Sequence, residues 1–218
     1  MDPVQAKLPD GSTLAPEQAM EALCDHALAA YPEECAGVID ADGIYHRLRN
    51  TSTKPESHSI VDKRELAALL ANGQMRALCH SHPGGPDCPS QQDMEAQAEM
   101  DVPFIIVATN GEACARPFVW GGDLVNELPL VGRPFRHGIT DCYALIRDYY
   151  AQERETELPD FPRGWEWWRD DVAAAHGLEK NLYERFFADA GFTEADRIDP
   201  QPGDVWLAAV RADVPNHA

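Results

Sequence analysis

The stretch from His80 to Asp93 constrains the fold of this chain more than any other. The apolar run 75–79 just before it is typical of a buried strand. His80 and His82 follow directly, and alternate residues of a strand point to the same side. We therefore expect a strand that ends in two imidazoles able to converge on one ion.

A loop and a helix are predicted after this strand. The sequence Pro-Gly-Gly-Pro at 83–86 favours an irregular loop, and Ser90 is typical of a helix N-cap. The helix would run to about Met100 and carry Asp93 in its first turn. Two imidazoles, one carboxylate and an open position make a catalytic zinc site. The alternative is an incidental His-x-His pair, which the added serine and aspartate disfavour.

The composition excludes several classes of function. The chain has 218 residues, with 18 Lys and Arg against 37 Asp and Glu, for a net charge of −19. This charge argues against binding to nucleic acid or to an anionic membrane surface. No apolar run is long enough to cross a membrane, and we expect no membrane insertion and no signal peptide. Six scattered cysteines without a Cys-x-x-Cys pair favour a reducing compartment.

Hydrophobic periodicity predicts an α/β architecture with two domains. The predicted elements of the first half are a helix over 16–30, a hairpin over 35–49, a helix over 61–72 capped by Asp62, the metal stretch, and strands over 103–109 and 113–120. They indicate a compact domain over 1–122. Residues 123–134 are interpreted as a linker, and a second domain is expected over 135–218.

The second domain contains a cysteine in a distinctive position. Cys142 follows Thr140 and Asp141 at the start of a predicted helix, with Thr140 as the expected cap. A helix N-terminus stabilises a thiolate, which activates a cysteine nucleophile. Such a nucleophile also needs an imidazole base, and His217 is the candidate, after a predicted strand over 205–210. The alternative is a small buried cysteine without catalytic function.

Activation of a metal-bound water requires a general base. Glu33 and Glu34 both precede the first predicted strand, and the residues alone separate them poorly. Glu34 is the candidate because Glu33 is expected to face solvent.

The sequence Glu-Cys-Ala-Gly at 34–37, followed by His-x-His-x7-Ser-x-x-Asp, resembles the JAMM metallopeptidases. The resemblance implies a mixed sheet with flanking helices, in which two histidines and the aspartate bind Zn²⁺. It assigns His80, His82 and Asp93 as ligands, Glu34 as the base and Ser90 as the oxyanion partner. It also implies hydrolysis of amide or isopeptide bonds, a reaction suited to zinc with a carboxylate base.

The second half resembles the NlpC/P60 cysteine peptidases. The resemblance is carried by Thr-Asp-Cys at 140–142, Trp-Trp at 167–168, Gln-Pro-Gly-Asp-Val at 201–205 and Asn-His-Ala at 216–218. It implies an incomplete papain-like α+β domain, with Cys142 as nucleophile, His217 as base and peptidoglycan stem peptides as substrate. Two departures are notable: Phe135 stands where many members have tyrosine, and the chain stops at Ala218 before a third polar residue. We expect this second site to be impaired.

The order of the two domains resembles the tail assembly proteins of lambda-like bacteriophages and prophages. This resemblance implies other tail-tip proteins as partners, assembly in the cytoplasm of the host bacterium, and a place at the virion tail tip. Three functions remain open. The protein could be a tail-tip hydrolase with two active sites, a zinc peptidase that processes another tail protein, or a structural assembly factor with vestigial sites.

Overall fold

The computed structural model describes residues 2–71, 75–122, 124, 129–169, 182–195 and 198–210. The chain divides into two compact units. One comprises Met1–Pro89 and Glu95–Asn126, and the other comprises Ser90–Met94 and Glu127–Ala218. Within the described residues, no helix is long and apolar enough to cross a membrane.

A five-stranded mixed sheet organises the first unit. The helices and strands up to Trp120 are α1 (Glu17–Ala30), β1 (Ala36–Asp40), β2 (Tyr45–Leu48), α2 (Lys63–Leu70), β3 (Met75–Pro83), α3 (Gln91–Met100), β4 (Phe104–Thr109) and β5 (Phe118–Trp120). All of them belong to the first unit except residues 91–94 of α3, which group with the second. The strand order is β2-β1-β3-β4-β5. Only the β3–β4 pair is parallel among these neighbours, and the other three pairs are antiparallel. The expected α+β class, with a mixed sheet and flanking helices, is confirmed.

The core of this unit lies between α1 and the sheet. Ala19, Leu23 and Ala27 recur at every fourth position of α1, and all three are buried against the strands. This spacing makes one apolar face on the helix. Every residue of β4 is buried as well, which agrees with an inner strand flanked on both edges.

The strand β3 is longer than predicted and contains both histidines. Its pairing with β4 continues through Ser81, His82 and Pro83, which lie opposite residues 107–109. The proline does not interrupt the strand because it is the last residue. His80 and His82 therefore lie near the end of a central strand, as expected, and the strand extends one residue beyond them to Pro83.

The second unit contains two described helices, α4 (Cys142–Arg154) and α5 (Leu182–Phe186). The N-cap of α4 is Asp141, whose side chain accepts from the Ala144 N–H. The prediction of Thr140 as cap was therefore wrong, since the Thr140 hydroxyl donates to the Pro134 carbonyl instead. The predicted strand over 205–210 has no regular strand geometry in the structure.

Candidate functional site

Two buried imidazoles face each other on β3. His80 is 4% exposed and His82 is 8% exposed, and their Nε2 atoms lie 3.2 Å apart. Two nitrogens bound at 2.0–2.1 Å to one tetrahedral zinc ion would be separated by about 3.3 Å. The pair thus has the spacing of two ligands that share a metal ion.

The loop after β3 orients the second imidazole. Nδ1 of His82 lies 3.2 Å from the carbonyl oxygen of Pro86. A carbonyl can only accept, so Nδ1–H donates and Nε2 of the neutral ring keeps its lone pair. Histidine ligands commonly donate their second N–H in this way. His82 is therefore in the tautomer that binds a metal through Nε2.

The helix α3 brings a carboxylate to the pair. Each of His80, His82 and Asp93 offers one ligand atom, and these three atoms lie within 4.8 Å of one another. The Asp93 carboxylate is itself held by Ser90, whose N–H and hydroxyl both donate to Oδ2 at 2.7 Å. Asp93 N–H donates back to the Ser90 hydroxyl at 3.1 Å, which makes a reciprocal cap of α3.

These residues fit a divalent metal ion. Two imidazole nitrogens and one carboxylate oxygen form a donor set that zinc and other first-row divalent ions accept. The spacing of the two Nε2 atoms and the carbonyl-fixed tautomer of His82 support the same conclusion. The site can therefore hold a metal, although the donor set alone does not select which one.

The hydroxyl of Ser90 has a partner that the sequence did not predict. Its single proton is donated to Asp93, so Ser90 supports a candidate ligand in the geometry described above. An oxyanion contact by Ser90 requires this hydroxyl to turn away from Asp93. The assignment of Ser90 as oxyanion partner stays a prediction.

The structure distinguishes the two glutamates before β1. Glu33 is exposed, whereas Glu34 is 7% exposed. The Glu34 N–H donates to the Pro55 carbonyl at 2.7 Å, and the Glu34 carbonyl accepts from Nδ2 of Asn50 at 3.0 Å. Glu34 is therefore a buried acidic residue on a segment held by the loop over 50–60.

The strand register places this segment at the histidine end of β3. Ala36 pairs with His80 in the antiparallel β1–β3 ladder, and the Ser81 N–H donates to the Cys35 carbonyl at 3.3 Å. Continuation of the same register brings the backbone of Glu34 level with His82. The role of Glu34 as a base stays a prediction, and its position is compatible with that role.

A separate polar cluster lies at the start of α4, within the second unit. Cys142 is the first residue of the helix, and Asp141 caps it. Both Asp141 oxygens accept from Arg163, at 2.8 Å each, and they also accept from the Ala144 and Gly138 N–H groups. Arg163 is 5% exposed, so this is a buried bidentate ion pair beside the candidate nucleophile.

This ion pair governs the ionisation of its members. Burial tends to raise the pKa of the Asp141 carboxyl. The charge and hydrogen bonds of Arg163, together with the hydrogen bonds from the Ala144 and Gly138 N–H groups, lower it, and the pKa is lowered overall. Nε2–H of His137 donates to the Arg163 carbonyl at 3.1 Å. Burial lowers the pKa of His137, against the raising effects of this hydrogen bond and of Asp141.

Cys142 lines a cavity of about 830 Å³ together with Tyr183, Trp167 and Phe135. Burial raises the pKa of Tyr183, and interaction with Cys142, including a hydrogen bond between the side chains, raises it further. Sequence reasoning missed both Tyr183 and Arg163. An arginine amid aromatic residues at 161–168 was the available signal, because a buried cation requires a partner. The candidate base His217 lies outside the described residues.

Comparison with known families defines the class of protein. Residues 16–120 match the prokaryotic homologs of the JAB domain, and residues 115–218 match the NlpC/P60 family. The chain therefore combines a JAB-like domain with an NlpC/P60 domain, in the predicted order.

Two proteins with related sequences define the family. The chain is 34% identical over 206 residues to the tail tip assembly protein K of Escherichia phage N15, covering 93% of this chain and 79% of that protein. It is 37% identical over 146 residues to the protein of the same name from Escherichia phage lambda, covering 67% of this chain and 64% of that protein. The chain belongs to the family of tail tip assembly protein K, which confirms the predicted relationship.

A search of solved structures matches a protein from Desulfitobacterium hafniense, with 23% sequence identity and a TM-score of 0.41. That similarity covers 50% of this chain and 85% of the other. A JAB1/MPN domain protein from Archaeoglobus fulgidus has 19% identity and a TM-score of 0.31, and the match covers 50% of this chain and 88% of the other.

Proposed function

We propose that this chain is a tail tip assembly protein whose first domain is a zinc-dependent peptidase or isopeptidase. The observation that carries the proposal is the 3.2 Å separation of the His80 and His82 Nε2 atoms, with the Asp93 carboxylate beside them. The JAB-family match over 16–120 supports a peptidase class. The name of the related K proteins supports other tail proteins as partners.

Each residue has an assigned task in this proposal. His80, His82 and Asp93 hold Zn²⁺, which when bound polarises a carbonyl and lowers the pKa of a coordinated water. Glu34 accepts a proton from the attacking water and returns one to the leaving amine. Ser90 keeps Asp93 oriented, and its hydroxyl is assigned a contact with the oxyanion once it turns away from the carboxylate.

The test combines metal analysis with a search for a cleaved bond. Zinc would be measured in purified protein, and the protein would be incubated separately with tail-tip proteins of its phage and with peptidoglycan stem peptides. We expect one zinc per chain, and mass spectrometry should detect a product that disappears in Glu34→Gln. Protein that takes up no zinc would contradict the proposal and favour a structural factor with vestigial sites.

Cleavage of a tail protein would indicate a maturation enzyme, the second of the three functions. Release of stem-peptide fragments would instead favour a tail-tip hydrolase that acts on the cell wall. Each substrate is tested alone, so that its product can be identified. Loss of that product in Glu34→Gln or in Cys142→Ala then shows which of the two sites forms it.

A cysteine peptidase in the second domain is the other candidate activity. The observation that favours it is the position of Cys142 at the first residue of α4, where it lines a cavity and follows the helix cap Asp141. Cys142 is assigned as nucleophile and His217 as base, with stem peptides as substrate. Release of stem-peptide fragments that is lost in Cys142→Ala supports this activity. Release that persists in Cys142→Ala would show that another site forms the fragments.

The proposed location follows from the proposed partners. Assembly takes place in the cytoplasm of the host bacterium, and the protein is carried at the tail tip of the virion. Mass spectrometry of purified particles tests this second statement, since a protein used only during assembly would be absent from them.

A further inference from the structure

The backbone that carries Glu34 is bound from two sides. On one side, the Glu34 N–H donates to the Pro55 carbonyl and its carbonyl accepts from Asn50. On the other side, Ser81 binds both backbone groups of the next residue, Cys35. A segment held by hydrogen bonds on both sides has little freedom to move relative to β3.

Asn50 connects this segment to the loop over 50–60. Its Nδ2 donates to the carbonyls of Glu34 at 3.0 Å and His58 at 2.9 Å. Its Oδ1 accepts from the N–H groups of Ser52 at 3.0 Å and Ile60 at 3.1 Å. One side chain therefore closes the loop on itself and fastens it to Glu34.

Ser81 makes the second connection, from between the two histidines. It is fully buried, and its hydroxyl accepts from the Cys35 N–H at 2.9 Å. Its own N–H donates to the Cys35 carbonyl at 3.3 Å. Its neighbours His80 and His82 are the candidate ligands, so this side chain links the metal strand directly to the segment of the candidate base.

We propose that Asn50 and Ser81 are positioning residues, which fix the distance between the Glu34 carboxylate and the histidine pair. The inference rests on the proposed function, in which Glu34 is the base. A proton-transfer group must lie within hydrogen-bonding reach of the proton that it takes, and a displacement of about 1 Å can cost about 100-fold in rate. Neither residue binds the metal or touches the reacting atoms.

A positioning role and a purely structural role make different predictions for a variant that lacks either side chain. Removal of either side chain leaves the ligands His80, His82 and Asp93 in place, so zinc binding should persist. The backbone around Glu34 should loosen, and hydrolysis should fall through kcat because the base is misplaced. A purely structural role would lower the stability of the whole unit without a local effect at this segment.

The experiment uses the full chain in three variants, Asn50→Ala, Ser81→Ala and the control Asn110→Ala. Asn110 is a matched control because its Oδ1 also accepts two backbone N–H groups, but in the β4–β5 turn. Zinc content and amide hydrogen exchange are measured in each. We expect one zinc per chain throughout. Exchange should be about tenfold faster at Cys35 in Ser81→Ala, because the Cys35 N–H loses its acceptor. In Asn50→Ala it should also rise at Glu34, because the Glu34 N–H donates to Pro55 in the loop that Asn50 closes.

Combination with Glu34→Gln provides the second measurement. If both residues act through Glu34, either change should lower hydrolysis in the wild-type background and cause no further loss beside Glu34→Gln. The inference is overturned if zinc-loaded Asn50→Ala and Ser81→Ala show unchanged amide hydrogen exchange and unchanged hydrolysis. It is also overturned if either change lowers hydrolysis further in the Glu34→Gln background. Should Asn50→Ala not fold, Ser81→Ala decides alone, because it removes only one oxygen. Absence of zinc from the wild type, or full hydrolysis by Glu34→Gln, instead refutes the proposed function.

Discussion

The hydroxyl of Ser90 donates to Oδ2 of Asp93 at 2.7 Å, and the Asp93 N–H donates back to that hydroxyl at 3.1 Å. The reciprocal pair begins α3 and fixes the direction of the carboxylate that approaches the two histidines. Loss of a group that orients a metal ligand typically weakens metal binding by about 10- to 100-fold. Ser90 therefore couples the start of a helix to the strength of metal binding.

Replacement of Ser90 by alanine should weaken zinc binding. Loss of the supporting bond is expected to raise the zinc Kd about 10- to 100-fold. Loss of the helix cap should lower the free energy of unfolding by about 1 kcal/mol. Competition with a chromogenic chelator measures the Kd, and Ser90→Thr, which keeps the hydroxyl, is the control. An unchanged Kd together with lost hydrolysis would assign Ser90 to the oxyanion alone.

Glu34→Gln should separate metal binding from hydrolysis. The amide keeps the shape of the side chain but cannot take a proton, so zinc should remain at one per chain while hydrolysis falls by at least about 100-fold. The exposed neighbour Glu33 supplies the control Glu33→Gln, which should retain both properties. Loss of zinc from Glu34→Gln would mean that Glu34 is a ligand or a structural residue.

The buried ion pair in the second unit should dominate its stability. Arg163→Met leaves the Asp141 carboxylate buried without its cation, which is expected to cost about 3–5 kcal/mol. Arg169→Met is the comparison, since its pair with Glu166 is solvent-exposed and should contribute at most about 1 kcal/mol. Denaturant unfolding followed by tryptophan fluorescence measures both. Equal effects would show that the Asp141–Arg163 pair is not the stabilising contact.

Acid should destabilise the second unit in two stages. His137 has a lowered pKa in the folded chain, so below about pH 6.5 the unfolded chain binds a proton first and stability falls. Asp141 also has a lowered pKa, so its contribution is present above about pH 4 and is lost as the pH falls through the folded value. Unfolding measured from pH 8 to pH 3 should show both losses, and His137→Gln should remove the first. A first stage that persists in His137→Gln would contradict this assignment.

Local patterns in the sequence predicted most of the first unit. Apolar residues at intervals of four positions predicted α1, and Asp62 caps α2 as expected. The grouping of His80, His82 and Asp93 was also predictable, because the three residues lie within one strand–loop–helix segment. In each case the determining contacts join residues that are close along the chain.

Long-range contacts were not predictable in the same way. Arg163 lies 22 positions from Asp141, and Asn50 lies 16 positions from Glu34, so no local spacing relates them. The assignment of Thr140 instead of Asp141 as the cap of α4 failed for a related reason. Both residue types cap helices well, and the bond from the Thr140 hydroxyl to Pro134 decides between them only in the folded chain.

The proposed peptidase depends on zinc bound through His82, and the zinc content of the full chain and of His82→Ala measures this binding. Both proteins would be loaded with zinc, freed of excess metal and measured by mass spectrometry, with His58→Ala as a control outside the site. We expect one zinc per chain in the wild type and in His58→Ala, and loss of that zinc in His82→Ala. Wild-type protein without zinc, or His82→Ala that retains a full equivalent, would contradict it.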